Sequence, residues 1–389
     1  MKWLTVVVSL LSIIATATLA RADINIGVLL STTGPAASLG IPEKNVITSF
    51  GPSTIAGQKV RYVIFDDASD STAAVQNVKR MISENKIDVL IGPSITTNSL
   101  AVIDAAAESR TPMLSLSSAK PIVFPVDAKR KWVFKVTAND EIYAAAMVKH
   151  MVRNRVKTVS VIASDDPFGE SNTQAYKSSA DRSGIKTLTI EKFKRNDTSV
   201  TAQVLRALKG NPDAVVIIAV GTPAALPHHA VVDRGYKGKI YQSGGGAANA
   251  DFLRVGGKAV EGGYLPVSPV LVAEQLPNGY PTKAEALRFA KAYEPKFGPR
   301  STFAAHAWDA LKVVEDAVPK ALKSGNPGTD KFREALRSAI ENTKGYKGAF
   351  AVFNLTPTDH SGVNEYGMCM VKIVNGAWKL EDYAAFKKK

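Results

Sequence analysis

The 389-residue sequence predicts an α/β fold of two lobes, each built on a parallel, doubly wound sheet. Short apolar segments rich in branched residues alternate with amphipathic segments, and this alternation runs twice along the chain. The loops after the predicted strands are also rich in Ser, Thr and Gly. With 45% apolar and 22% charged residues the chain is not a disordered protein, and one cysteine excludes a disulfide-stapled fold.

The N-terminus is typical of an export signal. A positively charged start precedes an apolar run over 4–19, which is too short to span a bilayer. The sequence ARA at 20–22 fits the small-x-small cleavage pattern. We therefore expect removal of residues 1–22, with a cut after Ala20 or an uncleaved anchor as the alternatives.

The first α/β series begins with INIGVLL at 24–30, a branched apolar run that suits a strand buried on both faces. Pro35, after a Gly-containing turn, suits the first turn of a helix. The same periodicities predict strands at 60–65, 88–91 and 112–114 and helices at 71–84 and 98–108. This order predicts parallel strands with crossover helices.

The alternation restarts after a strand at 132–136. The second series is predicted as helices at 138–154, 167–183, 199–209 and 222–234 and strands at 158–163, 186–190, 213–220 and 240–242. The rest is more helical, with helices at 282–294, 302–320 and 330–341 and strands around 349–354, 367–374 and 378–380. The apolar stripe Phe303, Ala307, Leu311 and Val314 indicates core packing.

The charge balance is basic, with 49 Lys and Arg against 35 Asp and Glu and a formal net charge of +14. The basic clusters at 129–131, 192–195 and 387–389 are not interleaved with stacking aromatics, so no nucleic-acid partner is expected. We interpret the charge as a soluble surface with a net sign. Cys369, inside an apolar run, is interpreted as a small buried residue.

Catalytic and metal-binding motifs are weak. There is no dinucleotide-binding glycine motif after a strand, no phosphate loop and no nucleophile elbow, and the five histidines lack zinc-site spacing. The carboxylate pairs at 66–67 and 165–166 end predicted strands, where loop bracing and helix capping by Asp166 before Pro167 explain them. We therefore expect no enzyme activity, no cofactor and no metal.

The loops after the strands point to a ligand cleft, because ligands of parallel sheets bind outside the carboxyl ends of the strands. Hydroxyls and free N–H groups at helix starts bind carboxylates well. Thr96 and Thr97 are the predicted anion anchor. The loops concerned are 31–40, 92–99, 115–120, 164–169, 219–223 and 242–249.

Several segments, in this order and spacing, resemble the branched-chain amino acid type of periplasmic solute-binding protein: INIGVLLSTTGPAASLG, YVIFDDASD, VLIGPSITTNS, ASDDPFGES and the Thr222-Pro223 helix start. The resemblance covers nearly the whole mature chain. It implies a periplasmic monomer of type I fold that encloses a ligand by hinge closure and delivers it to an ABC permease.

That fold joins its two Rossmann-like lobes by a three-crossover hinge, which we place near 136–139, 265–268 and 350–354. The first lobe is then 23–138 plus 267–350, and the second is 139–266 plus 351–389. The resemblance implies a ligand site at Leu39, Ile95, Thr96, Thr97, Ser117, Ser118, Ala119, Phe168, Gly221, Thr222 and Gly245.

Departures from the family pattern decide the expected ligand. Where amino-acid-binding relatives offer a carboxylate to the ligand ammonium, this chain has Gly245; their head-group threonine falls at Ala119, and a covering aromatic near Gly221. An unpaired ammonium in a closed cleft is costly. We therefore expect a small carboxylate without an α-amine, with an aromatic acid favoured, and room for its body beside Gly221 and glycines 244–246.

A further paired departure is that the positions of a disulfide found in some relatives fall at Ser69 and Ile95.

Other functions remain open. A branched-chain amino acid or amide ligand would need an acid from elsewhere, for which the candidates are Asp140, Glu141 and Glu170. An exported α/β enzyme would need a nucleophile–base pair assembled from distant loops. A repressor is disfavoured, because the export signal stands where a repressor would carry its DNA-binding helices.

Overall fold

The computed structural model describes residues 22–383, so the predicted signal segment, apart from Ala22, and the basic cluster 387–389 lie outside it. The strands are β1 Ile24–Leu30, β2 Thr54–Ile55, β3 Gln58–Asp66, β4 Val89–Ile91, β5 Met113–Ser115, β6 Val133–Lys135, β7 Thr158–Ser164, β8 Lys186–Phe193, β9 Ala214–Ile218, β10 Lys239–Gln242, β11 Tyr264–Val267, β12 Tyr346–Lys347, β13 Val352–Phe353, β14 Cys369–Val374 and β15 Ala377–Tyr383.

The α-helices are α1 Ala37–Phe50, α2 Ser71–Ser83, α3 Thr96–Ala101, α4 Ile103–Glu108, α5 Asp140–Arg153, α6 Pro167–Arg182, α7 Thr201–Leu208, α8 Ala225–Asp233, α9 Gly244–Ala247, α10 Ala250–Gly256, α11 Lys283–Phe297, α12 Thr302–Ala321 and α13 Asp330–Glu341. Short 3-10 turns include Lys120–Ile122 and Thr222–Ala224. Within residues 22–383, no helix combines the length and apolar character that a membrane span requires.

Two large sheets form the centres of two lobes. The first has the order β2-β3-β1-β4-β5-β6, and the second the order β15-β14-β11-β10-β9-β7-β8. Neighbouring strands from β3 to β6 and from β8 to β11 run parallel, while β2, β14 and β15 pair antiparallel at the sheet ends. The predicted α/β fold of two lobes is confirmed.

The strands at the sheet centres are apolar on both faces because helices cover both sides. In β1 every residue except Asn25 is buried, and all of β9 is buried. Branched side chains suit these positions since they pack on a pleated surface without further loss of rotamer freedom. The continuous apolar runs of the sequence therefore identified these strands correctly.

The long helix α12 is buried around most of its circumference. Phe303, Ala307, Leu311 and Val314, predicted as a packing stripe, are all buried, and α12 packs against α1 and α13. The prediction of core packing is confirmed. Because α1 belongs to the first lobe, this contact places α12 there as well.

Some elements differ from the prediction. The helix predicted over 98–108 begins at Thr96 and is divided at Val102, whose ψ of 0° breaks the helical repeat. The predicted loop 242–249 contains α9 and leads directly into α10. Glycine has low helix propensity, so the sequence gives no helical signal at 244–246.

The chain still contacts the first sheet near residue 360. Lys135 N–H donates to His360 O at 3.0 Å, and Ser361 Oγ donates to Thr137 O at 2.9 Å. Residues 360–361 therefore lie on the β6 edge of the first sheet. We propose that the third crossover lies between 362 and 368 rather than at 350–354; the other lobe boundaries remain predictions.

Candidate functional site

Each sheet has a switch point, where the strand order reverses, and the candidate site forms between these two points. The switch lies between β1 and β4 in the first sheet and between β7 and β9 in the second. Ligands of doubly wound sheets bind outside the carboxyl ends of strands at such points. The loops 92–99 and 115–120 follow the first sheet's strands, and 164–169 and 219–223 follow the second's.

Two buried hydroxyls form the polar part of the first-lobe wall. Thr96 Oγ1 lies 2.7 Å from Ser117 Oγ, and both side chains are buried. Thr96 opens α3, whose N-cap residue Ile95 has no polar side chain. Because the two hydroxyls share one hydrogen bond, one hydroxyl proton remains to be donated elsewhere. Thr97 is half-buried.

Ser118 and Ala119, which follow Ser117 in the chain, lie in different surroundings. The Ser118 hydroxyl is buried and makes no hydrogen bond to any residue from 22 to 383. It is therefore available to a ligand. Ala119 packs in an apolar core made of first-lobe residues. The structure thus does not bring Ala119 to the second-lobe wall.

Phe168 forms the aromatic part of the second-lobe wall. Asp166 caps α6 by accepting from the Gly169 N–H at 2.9 Å, and Arg195 Nε donates to its other oxygen at 2.7 Å. The predicted cap is confirmed. A Cβ on Gly169 would lie 1.8 Å from Ser164 O, so only glycine lets the first turn of α6 pack on the end of β7. This packing holds Phe168 at the carboxyl edge of the sheet.

The two walls approach each other at Gly245. A Cβ built there would lie 2.9 Å from Ser118 Oγ in the first lobe and 3.5 Å from Phe168 Cε2 in the second. The structure thus brings three predicted site residues together. Glycines 244–246 do not leave open room, because a Cβ at each would meet protein atoms within 3 Å. That expectation from the sequence is wrong for this closed arrangement.

A second close approach lies at Gly221. Its φ is +69°, and a Cβ there would lie 3.0 Å from Ser38 Oγ and 3.4 Å from Leu39 Cδ1, both in the first lobe. Leu39, Ile95 and Phe168 are buried members of one apolar cluster that spans both lobes. Thr222 follows Gly221, half-buried, at the start of a 3-10 turn.

The three acids that could serve an amino-acid ligand already have partners. Glu141 Oε1 lies 2.6 Å from Lys120 Nζ, and Glu170 Oε2 lies 3.1 Å from Lys192 Nζ at the surface. Asp140 is buried and accepts hydrogen bonds from one main-chain N–H and two side chains. Each of these carboxylates is therefore paired through at least one oxygen, while Glu141 Oε2 is buried without a hydrogen-bond partner among residues 22–383.

The sequence analysis missed a buried lysine beneath the first-lobe wall. Lys135 is fully buried in β6, and its Nζ donates to the main-chain oxygens of Ser118 and Ala138. Burial lowers the pKa of Lys135 to about 8, although the Asp140 charge raises it. Burial likewise raises the pKa of Asp140, against the lowering effect of Lys135. A lysine inside the apolar run WVFKV was the available signal.

The remaining polar groups of the sequence analysis have structural roles. Burial lowers the pKa of His228 and of His306 to about 3, and His228 Nδ1 lies 3.1 Å from Gln242 Nε2. Asp66 braces its loop by accepting from the Thr32 N–H at 2.9 Å. In the part of the chain that the structure describes, no three His, Cys, Asp or Glu side chains are grouped to hold a metal ion.

Two α/β lobes that meet over a cleft walled by hydroxyls on one side and an aromatic ring on the other define a hinged, ligand-binding class of protein. The family model described as "Periplasmic binding protein" matches residues 23–377. The chain therefore belongs to this family, and it is a periplasmic binding protein of the ABC-transporter type.

Three relatives illustrate the likeness. An extracellular ligand-binding receptor from Rhodopseudomonas palustris HaA2 is 40% identical, with a TM-score of 0.89 over 93% of this chain and 100% of that one. The Leu/Ile/Val-binding protein BraC3 of Rhizobium johnstonii is 24% identical over 87% of this chain and 89% of its own length. A solute-binding protein from R. palustris, in complex with benzoate, is 19% identical with a TM-score of 0.80, over 94% and 97% of the two chains.

Proposed function

We propose that this protein captures a small carboxylate that has no α-amine, with an aromatic acid as the favoured class, and delivers it to an ABC permease. The observation that carries the proposal is that, among residues 22–383, buried hydroxyls line the cleft while each of the three candidate acids is already paired with a neighbour. The signal segment at 1–22 would direct the chain to the periplasm and would then be removed by cleavage. The relatives are solute-binding proteins, which supports binding without turnover.

The polar end of the ligand is assigned to the first-lobe wall. One proton of the Thr96–Ser117 pair and the Ser118 hydroxyl can both donate to a carboxylate. Hydrogen bonds from neutral donors to an ionised acceptor are stronger than neutral pairs. These donors would stabilise a carboxylate in a site that the lobes close from water.

The pairing of the candidate acids argues against an amino acid. In residues 22–383, Asp140, Glu141 and Glu170 each have a partner, and position 245 has no side chain. An amino acid's ammonium would have to share a carboxylate that a neighbour already engages or stay unpaired, and an unpaired buried charge costs several kcal/mol. A carboxylate without the amine avoids that cost.

The body of the ligand is assigned to the apolar cluster that spans both lobes. Leu39, Ile95 and Phe168 provide apolar surface, and the lobes approach closely at Gly221 and Gly245. A flat ring needs less separation between the walls than a tetrahedral branched carbon, and it can stack on Phe168. A solute-binding protein of this fold has been solved in complex with benzoate, which supports an aromatic acid as the class to test first.

Isothermal titration calorimetry tests the proposal directly. The mature protein, unfolded and refolded to remove bound compounds, is titrated with benzoate, cinnamate, their uncharged amides and leucine. We expect the acids to bind and the amides and leucine to bind far more weakly, because the amides replace an acceptor oxygen by a donor. Tighter binding of leucine than of every acid would refute the proposal.

The second candidate is a branched-chain amino acid, and the relatives named Leu/Ile/Val-binding proteins favour it. Those relatives are 24% identical, and the Gly245 position distinguishes this chain from the amino-acid-binding pattern. Native mass spectrometry of freshly purified protein separates the two candidates independently. A co-purified species with the mass of leucine, isoleucine or valine would support the second candidate.

A further inference from the structure

Asp140 is a buried acid that lies between the two lobes. It is the first residue of α5, directly after the first crossover, and its side chain is buried. The proposed function does not use it as a ligand contact. A buried carboxylate is retained only where its hydrogen bonds and charge are compensated, so its partners indicate what it does.

Its partners come from both lobes. From the first lobe, the Lys120 N–H, two residues after Ser118, donates to Asp140 Oδ2 at 3.2 Å. From the second lobe, Ser171 Oγ donates to Oδ2 and Asn172 Nδ2 donates to Oδ1 at 3.1 Å. Asp140 thus joins the 3-10 turn after β5 to the first turns of α6.

Two of these partners lead to walls of the cleft. Asn172 Nδ2 also donates to Phe168 O at 3.1 Å, so the same amide holds both Asp140 and the turn that carries Phe168. Lys120 follows Ser118 by two residues, and Ser118 Oγ is the first-lobe atom nearest to a Cβ at position 245. The charge of Asp140 is offset by Lys135, whose Nζ donates to Ser118 O from behind the wall.

We propose that Asp140 is a positioning residue that sets, from one carboxylate, the orientation of Ser118 on the first lobe and of Phe168 on the second. This proposal rests on the proposed function, since it assumes that these two residues contact the ligand. It assigns Asp140 to ligand affinity although Asp140 does not touch the ligand. Asn172 transmits the effect on the second lobe.

A purely local role would give different behaviour. An acid in the first turn stabilises a helix through the macrodipole, and Glu141, one residue along α5, has the same position in that field. Glu141 also joins the lobes through Lys120 but has no contact leading to Phe168. Glu141→Gln is therefore the matched control for Asp140→Asn.

The experiment combines a double-mutant cycle with hydrogen–deuterium exchange. Affinities are measured by calorimetry for the wild type, Asp140→Asn, Ser118→Ala and the double variant, at a temperature where all are folded by circular dichroism. The titrant is whichever of the aromatic acids or leucine binds the wild type most tightly. Exchange is followed without ligand in the peptides 115–124 and 166–174.

We expect Asp140→Asn to weaken binding by about tenfold to a hundredfold, because a buried network loses a charged acceptor. In the Ser118→Ala background the loss should be at least about threefold smaller, as expected for residues coupled through one main-chain segment. Exchange should become faster in both peptides, although they are far apart in sequence. Glu141→Gln should change neither quantity appreciably.

The proposal is overturned if the effects of Asp140→Asn and Ser118→Ala multiply without coupling. It is also overturned if faster exchange is confined to the start of α5, or if Glu141→Gln weakens binding equally. If Asp140→Asn does not fold, Asn172→Ala is measured in its place. Unchanged ligand affinity together with unchanged hydrogen–deuterium exchange in the peptide 166–174 would then overturn the proposal. Leucine as the tightest titrant refutes the proposed function but leaves the coupling and the exchange measurements decisive.

Discussion

Replacement of Gly245 by alanine should weaken ligand binding while sparing the fold. The added Cβ would lie 2.9 Å from Ser118 Oγ, an atom of the opposite lobe, and 3.5 Å from Phe168 Cε2, an ordinary contact. A carbon and an oxygen without a bond between them do not approach to 2.9 Å without repulsion. The clash exists only while the lobes are together, so it destabilises the closed state alone.

The magnitude follows from this geometry. Inserting one methyl group into a well-packed contact costs about 1–3 kcal/mol, and the low end applies here because the Ser118 hydroxyl is the end of a side chain that can rotate. If the open state is unaffected, the whole cost appears in ligand affinity, which corresponds to a dissociation constant raised by about fivefold. The melting temperature of the ligand-free protein should stay close to that of the wild type.

The neighbouring glycines provide the control. A Cβ on Gly246 would lie 1.8 Å from Ala219 O, and one on Gly244 would lie 1.4 Å from Pro266 O. Both oxygens belong to the main chain of the same lobe, so opening the cleft cannot relieve these clashes. Gly246→Ala should therefore lower the melting temperature of the ligand-free protein, whereas Gly245→Ala should not.

A rescue variant makes the argument sharper. Ser118→Ala removes the oxygen at 2.9 Å and leaves Ser118 Cβ at 3.5 Å from the new methyl group. In calorimetric titrations the double variant Gly245→Ala with Ser118→Ala should bind no more weakly than Ser118→Ala alone. Wild-type affinity in Gly245→Ala, or a full additional loss in the double variant, would refute the reasoning.

Three further predictions concern other groups. Thr96→Val keeps the side-chain shape but removes the hydroxyl bonded to Ser117, so the dissociation constant of an acid ligand should rise by about tenfold or more in calorimetry. Burial raises the pKa of Asp309 to about 8, against the lowering effect of the Phe350 and Ala349 N–H groups. Folded protein then keeps a proton that the unfolded chain releases near pH 4, so this contribution to the free energy of unfolding is lost as pH rises from about 4 to 8. Urea titrations across that range should show a flatter pH dependence for Asp309→Asn; an unchanged slope would contradict the assignment. Burial also raises the pKa of the Cys369 thiol, so a thiol reagent should react with it only on unfolding, and rapid reaction of folded protein would be the contrary result.

The fold was predictable because its signals are local. The apolar runs that became β1 and β9 and the capping sequence of α6 each act within a few residues. The loops of the site were also predictable, since the carboxyl ends of parallel strands must lie at one edge. The predicted Asp166 cap and the packing stripe of α12 are confirmed for the same reason.

The contacts between the lobes were not predictable from sequence patterns. That Gly245 faces Ser118 depends on how two separately folded sheets are oriented, and no periodicity records it. The same holds for Asp140, whose partners Lys120 and Asn172 belong to different lobes. The short pairing of β12 with β13 likewise carries no distinctive sequence pattern, so the third crossover stays a proposal.

The chemistry of the cleft follows from how its charges are paired. Lys135 and Asp140 offset each other beneath the first-lobe wall, and Lys135 Nζ is held by main-chain oxygens. A ligand carboxylate would therefore meet hydroxyl dipoles rather than a counter-ion. Dipoles fixed by the fold can stabilise an anion without the desolvation cost of a second buried charge. A hydroxyl can also accept from an amine, so the selection of acids over amines would depend on whether the nearby carboxylates stay paired when the ligand binds, and not on the net charge of +14.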